Sequence, residues 1–431
     1  MNQRALFGSF LAAHAIPDAL DILFTGVGCK PKAQRQIAQH DRFREAGSKM
    51  VWADIGEREA IGGPLDRLEN ITLETVSRRG QVGIIFVATS AAAELLSADL
   101  RPALARIRRR AGCPVVLLPS AGWDRDMYAG YGAAQRAVLD LVDWKRSPAR
   151  GRSVGIVGHW FHRYESDQQA DLDELRRLLK GAGAEPGPVF FSGAPLAKLL
   201  ELAGSAAILR LPYLLDEPLA AGSPAPARAV AHGHWGRRPV LPTALPVGTA
   251  HTESFVLTAA QAAGAGEDRA RRFVREERAR LQPVLRRARR ELAGKRALVL
   301  ADTPLAAGLC CLLPELGVRV PLAVLLDETL GGRKALQAEL RTSGVDSPPV
   351  ILENPGYTEL ERAFEMVFGR RGGVDFIVGP DLWLPPRIRE GAAWMELGFP
   401  SNRWHPSEPA PVLGFSGLRA LAKRLLEVAA G

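Results

Sequence analysis

Short runs of apolar, often β-branched residues alternate along the chain with longer amphipathic stretches. The clearest runs are Ile84–Ala88, Val115–Leu118, Val154–Val157 and Ala297–Ala301. Between the first two, the apolar residues of Ala92–Ala111 recur at helical spacing, which predicts a helix. Such alternation is typical of parallel α/β layers. The pattern therefore predicts an α/β protein with parallel sheets flanked by helices.

The alternation restarts twice, which predicts three Rossmann-like domains. We expect them to span residues 1–150, 151–293 and 294–431. The second would end in a long connecting helix from about Glu267 to Leu292, interrupted near Pro283 because proline cannot donate a helical hydrogen bond.

Composition places the chain among ordinary globular proteins. It has 431 residues, of which 47% are hydrophobic and 24% charged. No apolar run reaches the roughly 18 residues of a membrane span, and the N-terminus is too polar for a signal peptide. We therefore expect a cytoplasmic protein with no membrane contact.

The net charge of +9 does not indicate a nucleic-acid partner. The densest basic stretch, Asp268–Arg296, interleaves its arginines with Glu276, Glu277 and Glu291 and contains one aromatic residue, Phe273. A nucleic-acid surface would instead combine concentrated positive charge with stacking aromatics. A solvated helix face is the favoured interpretation, and we expect no nucleic-acid binding.

The sequence lacks the motifs of several enzyme classes that act as single chains. The sequence has no Walker A loop, no His-Glu-x-x-His and no Gly-x-Ser-x-Gly. Its four cysteines include no Cys-x-x-Cys, so the chain offers neither a zinc ribbon nor a complete iron–sulfur ligand run. Any metal chemistry must use ligands from another chain.

The most informative stretch is Leu23–Lys30, with the sequence LFTGVGCK. Gly26 and Gly28 allow a sharp turn after an apolar strand and would present Cys29 outward. Lys30 and Lys32 would favour the thiolate form of Cys29. The motif alone leaves open a second interpretation, a buried core cysteine after a glycine turn.

Further motifs follow Cys29 in a characteristic order. They are Glu57–Gly63 with its Gly-Gly pair, Thr89–Leu100 after the strand IIFVA, Gly112–Val116, Val154–Gly158, Gly294–Val299 and Leu413–Leu418. Each motif is only moderately specific, but their order resembles the nitrogenase component 1 superfamily over nearly the whole chain. That superfamily includes the nitrogenase molybdenum–iron protein, its cofactor-assembly scaffold and the dark-operative chlorophyll reductases.

The resemblance implies a β-type subunit. α-type subunits of the family offer three cysteines to an interface cluster, whereas this chain has Ala91 at one of those positions and no cysteine before Cys29. Cys29 would then be the single ligand from this chain to a [4Fe–4S] cluster held mainly by the partner. The residues implied to shape the cluster pocket are Gly26, Gly28, Gly62, Gly63, Thr89, Ser90 and Glu94.

The resemblance also implies partners and an activity. This chain would form an α2β2 heterotetramer with a homologous α-type subunit and receive electrons from a separate ATP-hydrolysing iron–sulfur reductase protein. The complex would reduce a small molecule, and any larger metallocofactor or tetrapyrrole would be bound mainly by the partner. Two alternatives stay open: a cofactor-assembly scaffold without turnover of its own, and a non-redox binding protein in which Cys29 is a remnant.

Other candidate residues are more readily explained by packing. Cys113, Cys310 and Cys311 lie in apolar runs, and we expect them to be core thiols. His405 precedes the closing glycine loop and is expected to be structural. The pairs His159/His162 and His232/His234 could contact a substrate or metal, with no acid or thiol nearby in sequence to complete a site.

Overall fold

The computed structural model contains three parallel β-sheets flanked by helices, which confirms the predicted fold class. It describes residues 4–26, 35, 38–41, 50–63, 65–90, 93, 95, 99–119, 125–145, 151–215, 235, 238–370 and 372–430. Every strand pair within these sheets is parallel.

The first sheet has four strands in the order β2-β1-β3-β4. They are β1 (Ala19–Thr25), β2 (Met50–Asp54), β3 (Ile84–Thr89) and β4 (Val115–Pro119). The accompanying helices are α1 (Ala5–His14), α2 (Glu57–Gly62), α3 (Leu65–Arg79), α4 (Arg101–Ala111) and α5 (Met127–Leu139). From β1 the chain passes to β2 on one side of the sheet and then to β3 on the other side of β1. The direction in which strands are added therefore reverses between β1 and β3.

The second sheet repeats this pattern, with the order β6-β5-β7-β8. Its strands are β5 (Ser153–Val157), β6 (Glu185–Val189), β7 (Ala207–Arg210) and β8 (Val240–Pro242). Its helices are α6 (Ser166–Gly181), α7 (Leu196–Leu200) and α8 (Thr249–Ala262), and the long helix α9 (Glu267–Leu292) leads to the third sheet.

The third sheet has five strands in the order β11-β10-β9-β12-β13. They are β9 (Arg296–Ala301), β10 (Arg319–Leu325), β11 (Val350–Glu353), β12 (Phe376–Gly379) and β13 (Ala393–Glu396). The helices are α10 (Thr303–Glu315), α11 (Gly332–Thr342), α12 (Tyr357–Phe368), α13 (Pro386–Arg389) and α14 (Gly414–Ala430). The last of these packs against α9 and α6 as well as β13.

One large hydrophobic core joins the three sheets. It contains Leu23 of β1, Ile208 of β7 and Val299 of β9, all fully buried. Two smaller clusters cover the other faces of the first and third sheets, so their central strands are buried on both faces. Burial on both faces explains why β3 consists entirely of apolar residues up to Thr89. In the described ranges, no helix has the length and hydropathy needed to span a bilayer.

The stretch predicted as one helix over Ala92–Ala111 is interrupted, because Ala93 and Leu95 are helical whereas Asp99 and Leu100 are not. In the structure α4 starts at Arg101, and the backbone N–H of Arg101 donates to the Asp99 carboxylate at 3.1 Å. Pro102 lies in the first turn, where its missing N–H costs no intrahelical bond. A helix running through from residue 92 would lose that bond, and the start of α4 at Arg101 avoids the loss.

The interruption predicted near Pro283 was wrong, because α9 continues through this residue to Leu292. Pro283 is exposed, while Val274, Leu281 and Leu285 are buried on the opposite face. Packing of this apolar face against α8 and α14 therefore compensates for the missing backbone hydrogen bond at Pro283.

Substitution of Pro283 by alanine is expected to stabilise the protein by about 1–3 kcal/mol. An alanine at this position would supply an N–H to the carbonyl of Ala279 and remove the clash of the proline ring. The denaturation midpoint in urea measures the effect. Pro102→Ala is the matched control, since this exposed proline occupies a first turn and its replacement restores no hydrogen bond. Equal midpoints for wild type and Pro283→Ala would contradict the prediction.

Candidate functional site

The carboxyl edge of the first sheet, where its parallel strands end, brings together three loops far apart in sequence. Phe24 pairs with Thr89 and Thr25 pairs with Asp54 across the sheet. The Ser90 N–H donates to the Phe24 carbonyl at 3.1 Å, and the Ile55 N–H donates to the Thr25 carbonyl at 3.0 Å. Because the strand order reverses between β1 and β3, the crevice at this edge is where open α/β sheets bind ligands.

Three of the residues implied to shape a cluster pocket meet here. Gly26 directly follows β1, Thr89 is the last residue of β3, and Ser90 follows it. Gly28, Cys29 and Glu94 lie outside the described residues. Gly26, three residues before Cys29 in sequence, therefore lies at this edge.

Gly62 and Gly63 lie at the end of α2, the short helix that follows β2. The Glu59 carboxylate accepts a hydrogen bond from the Gly56 N–H at 2.9 Å, which caps the helix start and lowers the pKa of Glu59. At the other end Gly63 has a φ of 91°, and its N–H donates to the Glu59 carbonyl at 3.1 Å. A positive φ is easily adopted only by glycine, so the Gly-Gly pair ends α2 here.

Two buried polar atoms at this edge have no hydrogen-bond partner within the described part of the chain. They are the Ser90 hydroxyl oxygen, in a side chain that is 6% exposed, and Oδ1 of Asp54. A buried polar group without a partner costs about 1–3 kcal/mol, so such groups commonly face a ligand or an ordered water. The hydroxyl of Ser90 could donate to an acceptor bound in the crevice.

The same edge exposes two large hydrophobic side chains. Ile61 in α2 is 89% exposed and Leu95, after β3, is 77% exposed. Exposed apolar side chains beside a polar crevice are typical of a surface that another protein covers.

The described residues do not bring together enough ligating side chains for a metal centre. No group of three or more His, Cys, Asp or Glu side chains among them is arranged to hold a metal ion. An iron–sulfur cluster needs four ligands, usually thiolates. The described residues therefore do not hold such a cluster by themselves.

The remaining cysteines have the character of core thiols. Burial raises the pKa values of Cys113, Cys310 and Cys311, which keeps them protonated and poorly nucleophilic. Cys311 lies 4.0 Å from Nε2 of His251, but that nitrogen also lies 3.2 Å from the Ser343 hydroxyl. These contacts agree with the packing role expected from the sequence.

The histidines singled out in the sequence have different surroundings. His405 is paired through Nδ1 with the Glu165 carboxylate at 2.6 Å, and Nε2 lies 3.0 Å from the Asn402 carbonyl, a structural arrangement. His159 and His162 line a cavity between the second and third sheets. His232 and His234 lie outside the described residues.

Sequence reasoning missed His14 and His40. His40 Nε2 lies 2.7 Å from His162 Nδ1, and His14 Nε2 lies 2.8 Å from the Asp41 carboxylate. The first contact joins His40 to the second sheet, and the second joins Asp41 to α1. The two histidines lie far from His162 in sequence and share no motif with it. No local sequence pattern could therefore have indicated that these side chains lie close together.

Comparisons with known proteins identify the family. Residues 5–429 match the family model described as nitrogenase component 1 type oxidoreductase. The chain is 23% identical over 440 residues to the nitrogenase iron-iron protein beta chain of Rhodobacter capsulatus, covering 97% of this chain and 90% of that protein. Because the family match spans nearly the whole chain, this protein belongs to the nitrogenase component 1 type oxidoreductases.

Solved structures show the same fold. The structure described as nitrogenase Cp1 at pH 6.5 superposes with a TM-score of 0.80 at 17% identity, covering 100% of this chain and 92% of that one. Nitrogenase Cp1 at pH 5 gives a TM-score of 0.74 at 15% identity, with 99% and 88% covered. The arrangement of three parallel sheets is therefore that of nitrogenase component 1.

Proposed function

We propose that this chain is the β-type subunit of a nitrogenase-like, ATP-dependent two-component reductase. The observation that carries the proposal is the end of β1 in a chain of this family. Gly26, three residues before Cys29 in sequence, follows β1 where the strand order reverses, and the Ser90 hydroxyl at the same edge is buried without a partner in the described residues. The beta chain among the curated relatives supports the β-type assignment.

The residues at this edge fit a cluster shared with another chain. Cys29 would supply one thiolate, Gly26 and Gly28 would shape the turn that carries it, and Ser90 could donate a hydrogen bond to a sulfide. A bound [4Fe–4S] cluster would supply one-electron storage between the electron donor and the partner. Gly62, Gly63, Thr89 and Glu94 would form the rest of the pocket wall and the docking surface.

The proposal includes a division of labour among proteins. An α-type subunit would supply the other cluster ligands and bind most of any larger metallocofactor or tetrapyrrole. ATP hydrolysis would belong to a separate iron–sulfur reductase protein, in agreement with the lack of a Walker A loop in this sequence. An α2β2 assembly would place one shared cluster in each αβ pair.

An anaerobic pull-down of the tagged chain from its native host, with an iron assay of the product, tests the proposal. We expect a homologous α-type partner and about four iron atoms per αβ pair. Additional iron would indicate a further cofactor on the partner. A chain recovered alone and free of iron would overturn the proposal and favour the non-redox alternative.

An assay of substrate turnover then distinguishes the reductase proposal from the assembly-scaffold alternative. The purified complex is supplied with its reductase protein and ATP, and candidate small molecules are assayed for reduction. A scaffold would instead release a matured metal cofactor to a second protein without reducing a substrate. Transfer without turnover would replace the reductase proposal by the scaffold alternative.

Ile61→Asp is expected to weaken binding of the α-type partner at least about tenfold, since burying a carboxylate in an apolar contact is costly. Binding of the purified chains measures the effect. Met366→Asp is the matched control, because Met366 is 73% exposed but lies on α12 beside the third sheet. Equal loss of binding in both variants, or in neither, would contradict a partner surface at Ile61.

A further inference from the structure

A small cavity lies between the carboxyl edges of the second and third sheets. Its lining residues include His159 and Trp160 after β5, Tyr213 after β7, Asp302 after β9, and Gln168 and Asp171 on α6. We call it the inter-sheet cavity. Its volume is about 50 Å³, enough for about four water-sized groups. It is distinct from the edge of the first sheet where Gly26 follows β1.

Two side chains in this cavity have buried polar atoms without a partner among the described residues. Both ring nitrogens of His159 are unpaired in a side chain that is 2% exposed. Oε1 of Gln168 is likewise unpaired, with the residue 6% exposed. Native proteins leave few buried polar groups unsatisfied, so these atoms indicate an occupant that forms hydrogen bonds. Burial, with a smaller contribution from Arg176, lowers the pKa of His159 to about 4, so its neutral ring offers one lone pair.

The acidic side chains that line the cavity favour a positively charged occupant. The carboxyl groups of Asp167, Asp171 and Asp302 line it, whereas no lysine or arginine does so within the described ranges. Asp167 is neutralised by Arg163 at 2.5 Å. Asp171 and Asp302 accept hydrogen bonds but have no cationic partner in the part of the chain that the structure describes. Burial raises the pKa of Asp171 to about 8 and also raises the pKa of Asp302, and a cation bound beside these groups would favour their ionised forms.

The unpaired atoms also indicate which kind of cation the cavity would bind. Alkali and alkaline-earth ions prefer oxygen ligands, and an imidazole nitrogen is a poor substitute. A transition metal would need a set of ligating side chains that the described residues do not arrange. A cation that carries N–H donors suits an imidazole lone pair, an amide oxygen and carboxyl groups alike.

We propose that the inter-sheet cavity binds a small protonated amine, ammonium or methylammonium, through His159, Gln168 and the carboxyl groups of Asp171 and Asp302. The cavity volume limits the ligand to a few non-hydrogen atoms. Trp160 adds an aromatic ring to the lining, a favourable neighbour for a cation. The site does not require the cluster at the first sheet, so it can be tested independently of the proposed function.

Thermal denaturation of the full chain, with any partner that co-purifies, tests the site. Ammonium chloride and methylammonium chloride are compared with potassium chloride and tetramethylammonium chloride at equal concentrations. We expect the first two salts to raise the midpoint beyond the effect of the other two, because ligand bound only by the folded state stabilises it. Equal midpoints in ammonium and potassium would overturn the proposal.

Variants of the lining residues test whether the stabilisation by ammonium arises from binding in the cavity. Gln168→Ala and Asp171→Asn are each expected to raise the apparent dissociation constant for ammonium at least tenfold. His251→Gln is the matched control, since His251 is a buried histidine outside the cavity lining. Unchanged ammonium affinity in both cavity variants would contradict the assignment. For variants that fold poorly, NMR of ¹⁵N-ammonium with wild type decides: a resolved bound signal supports the site, and its absence at saturation overturns it.

Discussion

Replacement of Cys29 by alanine is expected to leave the proposed complex with an α-type partner without the proposed shared iron–sulfur cluster and without the proposed reductase activity. A [4Fe–4S] cluster needs four ligands, and Cys29 is the single cysteine that the family resemblance assigns to this chain. Loss of one ligand exposes an iron to water and destabilises the cluster. Iron content of the anaerobically purified complex, together with its visible absorbance, measures the loss.

The matched control is Cys113→Ala. Cys113 precedes β4, is partly buried, and has a thiol whose pKa is raised by burial, so its removal should leave iron content unchanged. Cys29→Ser adds a graded comparison, because an alkoxide is a weaker iron ligand than a thiolate. If Cys29→Ala retained full iron content and activity, Cys29 would be a core cysteine and the cluster would be held by the partner alone.

Two strands that the sequence did not predict, β6 and β8, occupy the edges of the second sheet. The edge strand β6 has the sequence EPGPV and β8 has the sequence VLP, and both are short or broken by proline. An edge position tolerates proline because one side of the strand needs no ladder hydrogen bonds. The central strands β3, β5 and β9 were predicted because burial on both faces requires continuous apolar runs.

The candidate site was predictable only in part, for a similar reason. The succession of strand, glycine turn and Cys29 is local in sequence, and the rule that ligands bind at the carboxyl ends of parallel strands places it at a crevice. The inter-sheet cavity combines His159, Gln168 and Asp302, which tertiary packing alone brings together. No periodicity or motif in the sequence indicates that these three residues share a cavity.

One carboxyl group connects all three sheets. Asp302 follows β9 and caps α10 by accepting from the Leu305 N–H at 3.1 Å. Its Oδ1 also accepts from the Tyr213 hydroxyl, after β7, at 2.7 Å, and its Oδ2 accepts from the Tyr128 hydroxyl, in α5, at 3.1 Å. All three side chains are buried, so each hydrogen bond is made in a region of low dielectric constant.

Asp302→Ala is therefore expected to destabilise the protein by about 3–7 kcal/mol. The helix cap accounts for about 1 kcal/mol, and the two tyrosine hydroxyls left buried without an acceptor cost about 1–3 kcal/mol each. Denaturation midpoints in urea at fixed pH measure the loss. Asp302→Asn, which keeps the Oδ1 acceptor and the side-chain volume, should lose less than half as much.

The double variant Tyr128→Phe/Tyr213→Phe separates the two contributions. It removes both hydroxyls, so Asp302→Ala in this background should cost only the helix cap and the lost volume. That difference is the coupling between the carboxyl group and the tyrosines, which a double-mutant cycle isolates. If Asp302→Ala cost the same in both backgrounds, the hydrogen bonds from Tyr128 and Tyr213 would contribute nothing to holding the three sheets together.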